Sequence, residues 1–109
     1  MVGDEGSTNI YGVLMRRAAR VDANQSEIVE ALRAIGATVQ PIHMVGRGCP
    51  DIIVGYRGRN ILIEIKDGSK SPSARRLTSD EMMWHTSWRG RVVIVESVDE
   101  ALQAVRGEA

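Results

Sequence analysis

The stretch Asp51-Ile52-Ile53-Val54-Gly55-Tyr56-Arg57-Gly58-Arg59-Asn60-Ile61-Leu62-Ile63-Glu64-Ile65-Lys66 decides the fold. Its halves, Asp51 to Tyr56 and Ile61 to Lys66, are rich in β-branched residues and flank the turn-forming Arg57-Gly58-Arg59-Asn60. They read as two strands of a hairpin. Both are apolar on either face, which predicts central strands covered on each side.

Upstream, Gly46 to Pro50 is a loop by composition. Ala37 to Val45 reads as a strand, and Pro41 within it suits an edge position or a bulge. Before that, Ile28, Leu32 and Ile35 recur at helical spacing, with Asn24 as N-cap and Gly36 at the C-terminal end. Tyr11 to Arg20 suits a short helix, and the polar Met1 to Thr8 is expected to fray.

Downstream, Asp67 to Arg76 is a loop. Thr78 with Glu81 forms a capping-box pattern for a helix ending near Gly90. Arg91 to Glu96 reads as a buried strand, and Ser97 with Glu100 repeats the capping pattern for a last helix to about Val105. The order is α-β-β-β-α-β-α. It predicts a mixed α/β domain in which an antiparallel meander is followed by a helical crossover to a fourth strand.

The chain has 109 residues, one domain's worth. Hydrophobic residues make up 43% and charged residues 26%, a globular balance. Phenylalanine is absent, so the core must be aliphatic. No apolar run approaches the roughly 20 residues of a membrane span, and no signal peptide opens the sequence, so a cytoplasmic location is expected. A single cysteine, Cys49, excludes an internal disulfide and a cysteine-rich zinc site. Net charge is zero, so overall charge gives no support to nucleic-acid binding. Local basic clusters do occur, at Arg16, Arg17 and Arg20 and again at Lys66, Lys70, Arg75 and Arg76.

Packing alone does not explain charge inside the two most apolar strands. With the turn centred between Gly58 and Arg59, Asp51 falls opposite Lys66, and Ile53 opposite Glu64. Opposed residues share a face, as do residues two apart, so Asp51, Glu64 and Lys66 should project from one side of the sheet. Two carboxylates held together repel unless a cation neutralises them. A hard ion such as Mg²⁺ takes oxygen ligands, and the carbonyl of Ile65 would add a third. Lys66 beside the ion would position the attacking water and offset phosphate charge. This is the equipment of metal-assisted phosphodiester hydrolysis.

The remaining candidates have blander readings. His43, which could contact phosphate, reads first as a structural strand residue, and His85, which could approach the scissile phosphate, reads first as a residue on the solvent side of its helix. The two histidines lack metal-ligand spacing, which disfavours zinc. Trp84 and Trp88, four apart, suit a core or an oligomer interface. Cys49 reads as a small loop residue rather than a nucleophile.

At Pro50-Asp51 and Glu64-Ile65-Lys66 the sequence resembles the PD-(D/E)xK nuclease superfamily. Within it, Gly48-Cys49-Pro50-Asp51, Glu64-Ile65-Lys66, Leu77-Thr78 and Gly90-Arg91-Val92-Val93 look most like the small stand-alone VRR-NUC type of phages and bacteria, over about residues 24–104. The resemblance implies a restriction-endonuclease-like αβββαβ core with a mixed four-stranded sheet flanked by helices, here with an extra C-terminal helix. It also implies Mg²⁺- or Mn²⁺-dependent cleavage of DNA, structure-selective on Holliday or other branched junctions in recombination or repair, by a homodimer without an organic cofactor. Glu27 corresponds to the family's acidic residue on the first helix. Lys70, Arg75, Arg76 and Arg47, in the loops flanking the catalytic strands, are expected on the DNA backbone. Where the family usually carries a glutamine after the Leu-Thr pair, this chain has Glu81, for which capping is the safer reading. Two rivals stand beside the DNA nuclease: a silent nucleic-acid-binding or assembly protein of the same fold, and a hydrolase acting on RNA.

Overall fold

The computed structural model describes residues 24–107. The frayed terminus expected at Met1 to Thr8 and the helix expected at Tyr11 to Arg20 lie outside them. The elements run α1 (Gln25–Ala34), β1 (Thr38–Pro41), β2 (Ile52–Tyr56), β3 (Arg59–Ile65), α2 (Ser79–Ser87), β4 (Val92–Val95) and α3 (Val98–Arg106). The strands form one sheet in the order β1-β2-β3-β4, antiparallel through β3 and parallel between β3 and β4. The meander and the helical crossover are therefore as the sequence predicts.

Several boundaries differ. The expected strand through Val45 stops at Pro41, and His43–Val45 is a 3-10 turn. Pro41 lies opposite Ile52, the first residue of β2, so the edge strand ends where its partner begins. The loop after β3 contains another 3-10 turn at Pro72–Arg75. Asn24 precedes α1 but does not cap it with its side chain. Its amide instead donates to the carbonyls of Lys66 and Glu96, tying the start of α1 to the ends of β3 and β4. Thr78 and Glu81 do form a reciprocal capping box on α2. At α3, Ser97 Oγ accepts from the Glu100 amide, while the Glu100 carboxylate accepts from Glu96 N rather than closing the box.

The hairpin register is the main revision. Tyr56 pairs with Arg59 and Ile52 with Ile63, so Arg57-Gly58 is a two-residue turn. Both turn residues have positive φ, 53° at Arg57 and 78° at Gly58, the pattern of a type I′ turn. Arg57 stacks over the Tyr56 ring at 4.9 Å. The shift is two residues from the expected pairing. It puts Asp51 across from Glu64 instead of Lys66, but keeps every side chain on its expected face.

The two faces differ in kind. Ile52, Val54, Ile61, Ile63, Ile65 and Val95 point to one face, where they pack with Ile28, Val29 and Leu32 of α1 and Ala101, Ala104 and Val105 of α3. This is the core. By alternation, Asp51, Ile53, Leu62, Glu64, Lys66 and Ile94 belong to the other face, where α2 lies. That face is thinly covered: Ile94 is 45% exposed, so β4 is an exposed edge rather than a buried strand.

Candidate active site

Asp51 enters the site from the loop after the 3-10 turn, immediately before β2. Its Oδ2 accepts from the Ile65 amide at 2.7 Å, and its own amide donates to the Ile63 carbonyl. These bonds fix the Asp51 carboxylate at the end of β3, beside Glu64. Ile65 itself sits in the ladder opposite Val95 and is fully buried.

Glu64 is the least expected side chain in the molecule: a carboxyl in the middle of the sheet with 3% exposure. Its Oε1 is buried with no hydrogen-bond partner among the described residues. Burial first, then the charges of Asp51 and Glu81, push its pKa up to about 9, against the opposing pull of Lys66. A hydrogen bond to the Glu81 carboxylate also favours the protonated form.

Lys66 Nζ lies 2.9 Å from Glu81 Oε1 and 3.5 Å from Glu64 Oε2. Burial alone would lower its pKa. The hydrogen bond to Glu81 and the charges of Glu64 and Glu81 outweigh that and hold it above its ordinary value, so it is an ammonium at neutral pH. Glu81 therefore does two jobs. Its Oε1 accepts from the Thr78 amide in the capping box and from Lys66. Burial of Glu81 is offset by these bonds, leaving its carboxyl below the usual range. The sequence assigned it capping alone.

The loop before Asp51 meets the start of α2 closely. Gly48 has φ 85°, and a Cβ there would collide with the backbone of Asp80 and Glu81. Burial, then the charges of Glu64 and Asp51, raise the pKa of the neighbouring Cys49 thiol, so it is not a thiolate nucleophile. His43 lies in the 3-10 turn rather than a strand, its Nδ1 buried and without a partner.

His85 is not on the solvent side. Its Nε2 is buried and has no hydrogen-bond partner among the described residues, and the charges of Glu81 and Lys66 act on its ring. Trp84 and Trp88 stack on each other with centroids 4.5 Å apart, and Trp88 stays 46% exposed.

Glu27 is exposed on α1 and is not among the groups whose charge acts on Glu64. Of the four expected backbone-binding cations, Arg47, Lys70 and Arg76 are exposed. Arg75 is engaged, pairing with Glu96 Oε1 at 3.0 Å.

The donor set suits a hard cation. Asp51 and Glu64 offer oxygen ligands, and Glu64 holds a buried oxygen that no other described residue satisfies. Among the described residues no group of three His, Cys, Asp or Glu side chains is arranged to hold a metal. No described helix is long and apolar enough to cross a membrane.

No family model matches the sequence, and no curated protein does either. A solved VRR_NUC domain superposes on the chain with TM-score 0.58 and 24% identity, over 78% of this chain and 92% of that one. The architecture it shares is the restriction-endonuclease-like α/β arrangement. The chain has the fold of a VRR_NUC domain.

Proposed function

We propose that the protein is a Mg²⁺- or Mn²⁺-dependent endodeoxyribonuclease with Asp51, Glu64 and Lys66 at its catalytic centre. The observation that carries this reading is Glu64: a buried carboxyl with an unsatisfied oxygen, beside Asp51 and against an ammonium. Leaving that one oxygen buried and unsatisfied costs about 1–3 kcal/mol, and no packing role offsets that.

Asp51 and Glu64 would hold the ion, which when bound would supply Lewis-acid charge against the phosphodiester and lower the pKa of water. Lys66, kept charged, donates hydrogen bonds to the attacking water or a phosphate oxygen rather than serving as a base. Glu81 fixes the ammonium in that place. Arg47, Lys70 and Arg76 contact the flanking backbone in a salt-dependent way.

Branched DNA is the substrate class we favour, with a homodimer cutting both strands. A two-fold pairing is supported by the exposed apolar residues Met82 and Met83 on α2, Trp88 at its C-terminal end and Ile94 on the sheet.

The test is cleavage of four-way junction, flap, duplex and single-stranded DNA with Mg²⁺ or Mn²⁺, beside Lys66→Ala and an EDTA control. Cleavage is expected to vanish in EDTA and to fall sharply in the variant. No cleavage of any substrate overturns the reading in favour of a silent binding or assembly protein, and cleavage of RNA alone reassigns the substrate.

A further inference from the structure

His85 takes no part in the site as proposed so far, yet it lies on the same side of α2. It is four residues on from Glu81, one helical turn along the same helix face. Glu81 and Lys66 both act electrostatically on its ring. Its neighbour Trp84 meets it edge-on at 6.0 Å and offers no polar partner.

The ring's Nε2 is buried and makes no hydrogen bond among the described residues. A satisfied core histidine would have a carbonyl or carboxylate at that nitrogen. A solvent-facing one would have it exposed. His85 has neither, so its nitrogen is held ready for a group that arrives from outside. Glu81 holds Lys66 and lies one turn from His85 on the same face of the helix, so the ammonium and the imidazole are two donors on the α2 side of the site. Two donors beside an acidic cation site match a tetrahedral anion whose negative oxygens point away from the ion.

We propose that His85 Nε2–H donates a hydrogen bond to a non-bridging oxygen of the scissile phosphodiester, making His85 a catalytic residue. This rests on the nuclease reading above. The imidazole does so in its neutral form, since burial lowers its pKa. It is therefore a fixed donor that adds no charge to the site.

The experiment compares His85→Phe, which keeps the ring volume without the donor, with His85→Gln, whose side-chain amide places an N–H where Nε2–H was. Loss of one preorganised donor to a developing oxyanion costs on the order of a hundredfold in rate, so His85→Phe should lose about that much and His85→Gln should recover at least about tenfold. Circular dichroism establishes that both fold. Wild-type rates in His85→Phe, or no recovery in His85→Gln, overturn the proposal while Lys66→Ala still tests the nuclease reading. A second measurement does not depend on turnover. The ¹⁵N resonance of His85 Nε2 should move when junction or duplex DNA is added in Ca²⁺, and an unmoved resonance overturns the contact even if the wild-type protein cleaves nothing.

Discussion

Lys66 Nζ and Glu81 Oε1, 2.9 Å apart, join the end of β3 to the first turn of α2, across the face of the sheet that the core does not occupy. The same Glu81 oxygen closes the helix's capping box. One carboxylate thus sets both where α2 begins and where the ammonium sits. Glu81→Gln keeps a capping acceptor and a weaker hold on Lys66. Glu81→Ala loses both. We expect the alanine variant to melt lower by about 1 kcal/mol of stability, as for a lost cap, and to lose most cleavage. The glutamine variant should melt near wild type and keep a larger share of activity. Thermal melts and cleavage rates on the same preparations check this.

The metal-free protein should weaken as pH rises. Glu64 in the folded state has its pKa raised to about 9, so between its ordinary value and that point the native state binds a proton the unfolded chain has released. Its contribution to stability is full in acid and is lost progressively towards pH 9. Glu64→Gln carries no proton to lose. In EDTA, the variant should gain on wild type by about 1–3 kcal/mol by pH 8, and denaturant titrations across pH measure the divergence. Added Mn²⁺ should stabilise wild type at pH 8 and leave the variant little changed.

Gly48 is where the loop carrying Asp51 touches α2, and it combines a positive φ with no room for a Cβ. Gly48→Ala should therefore push the helix start outward and cost at least about 1–3 kcal/mol. Hydrogen exchange should speed first in α2, leaving β2 and β3 protected, because the core face is untouched.

Arg75 is already paired with Glu96, whereas Lys70 and Arg76 carry exposed charge in the same segment. We expect Lys70→Ala and Arg76→Ala to weaken DNA binding and each to lower the salt slope by about 1. Arg75→Ala should change affinity less. The partly exposed pair it breaks is worth about 0–1 kcal/mol, so stability should hardly move. Binding isotherms at several salt concentrations separate the three.

The order of elements was legible because strands and helices here announce themselves by β-branched runs and capping residues. The shared face of Asp51, Glu64 and Lys66 was legible too, although the turn was not. A type I′ turn is signalled by Asn-Gly or Asp-Gly, and Arg57 at positive φ hides it. The face survived because the register error was an even number of residues. Ile42, Met44 and Val45 imitate a continuing strand, but Pro41 is already level with the last available partner. That His85 could approach the scissile phosphate was legible only as the lesser reading, for a different reason. The inward face of α2 is polar, so its apolar residues, Met82 and Met83 among them, point outward and give no periodic cue.

The apolar core lies on one side of the sheet and the ionisable groups on the other. Ile63, sealed among α1 and α3, should lose about 2–5 kcal/mol when cut to alanine. Its strand neighbour Glu64 is expected to tolerate neutralisation or even benefit from it. Mutational load is thus partitioned by strand parity: odd positions of β3 guard the scaffold, and even ones are open to selection for chemistry. A lineage carrying this sheet has latitude to lose, retune or retarget cleavage one substitution at a time, without first rebuilding what makes it fold.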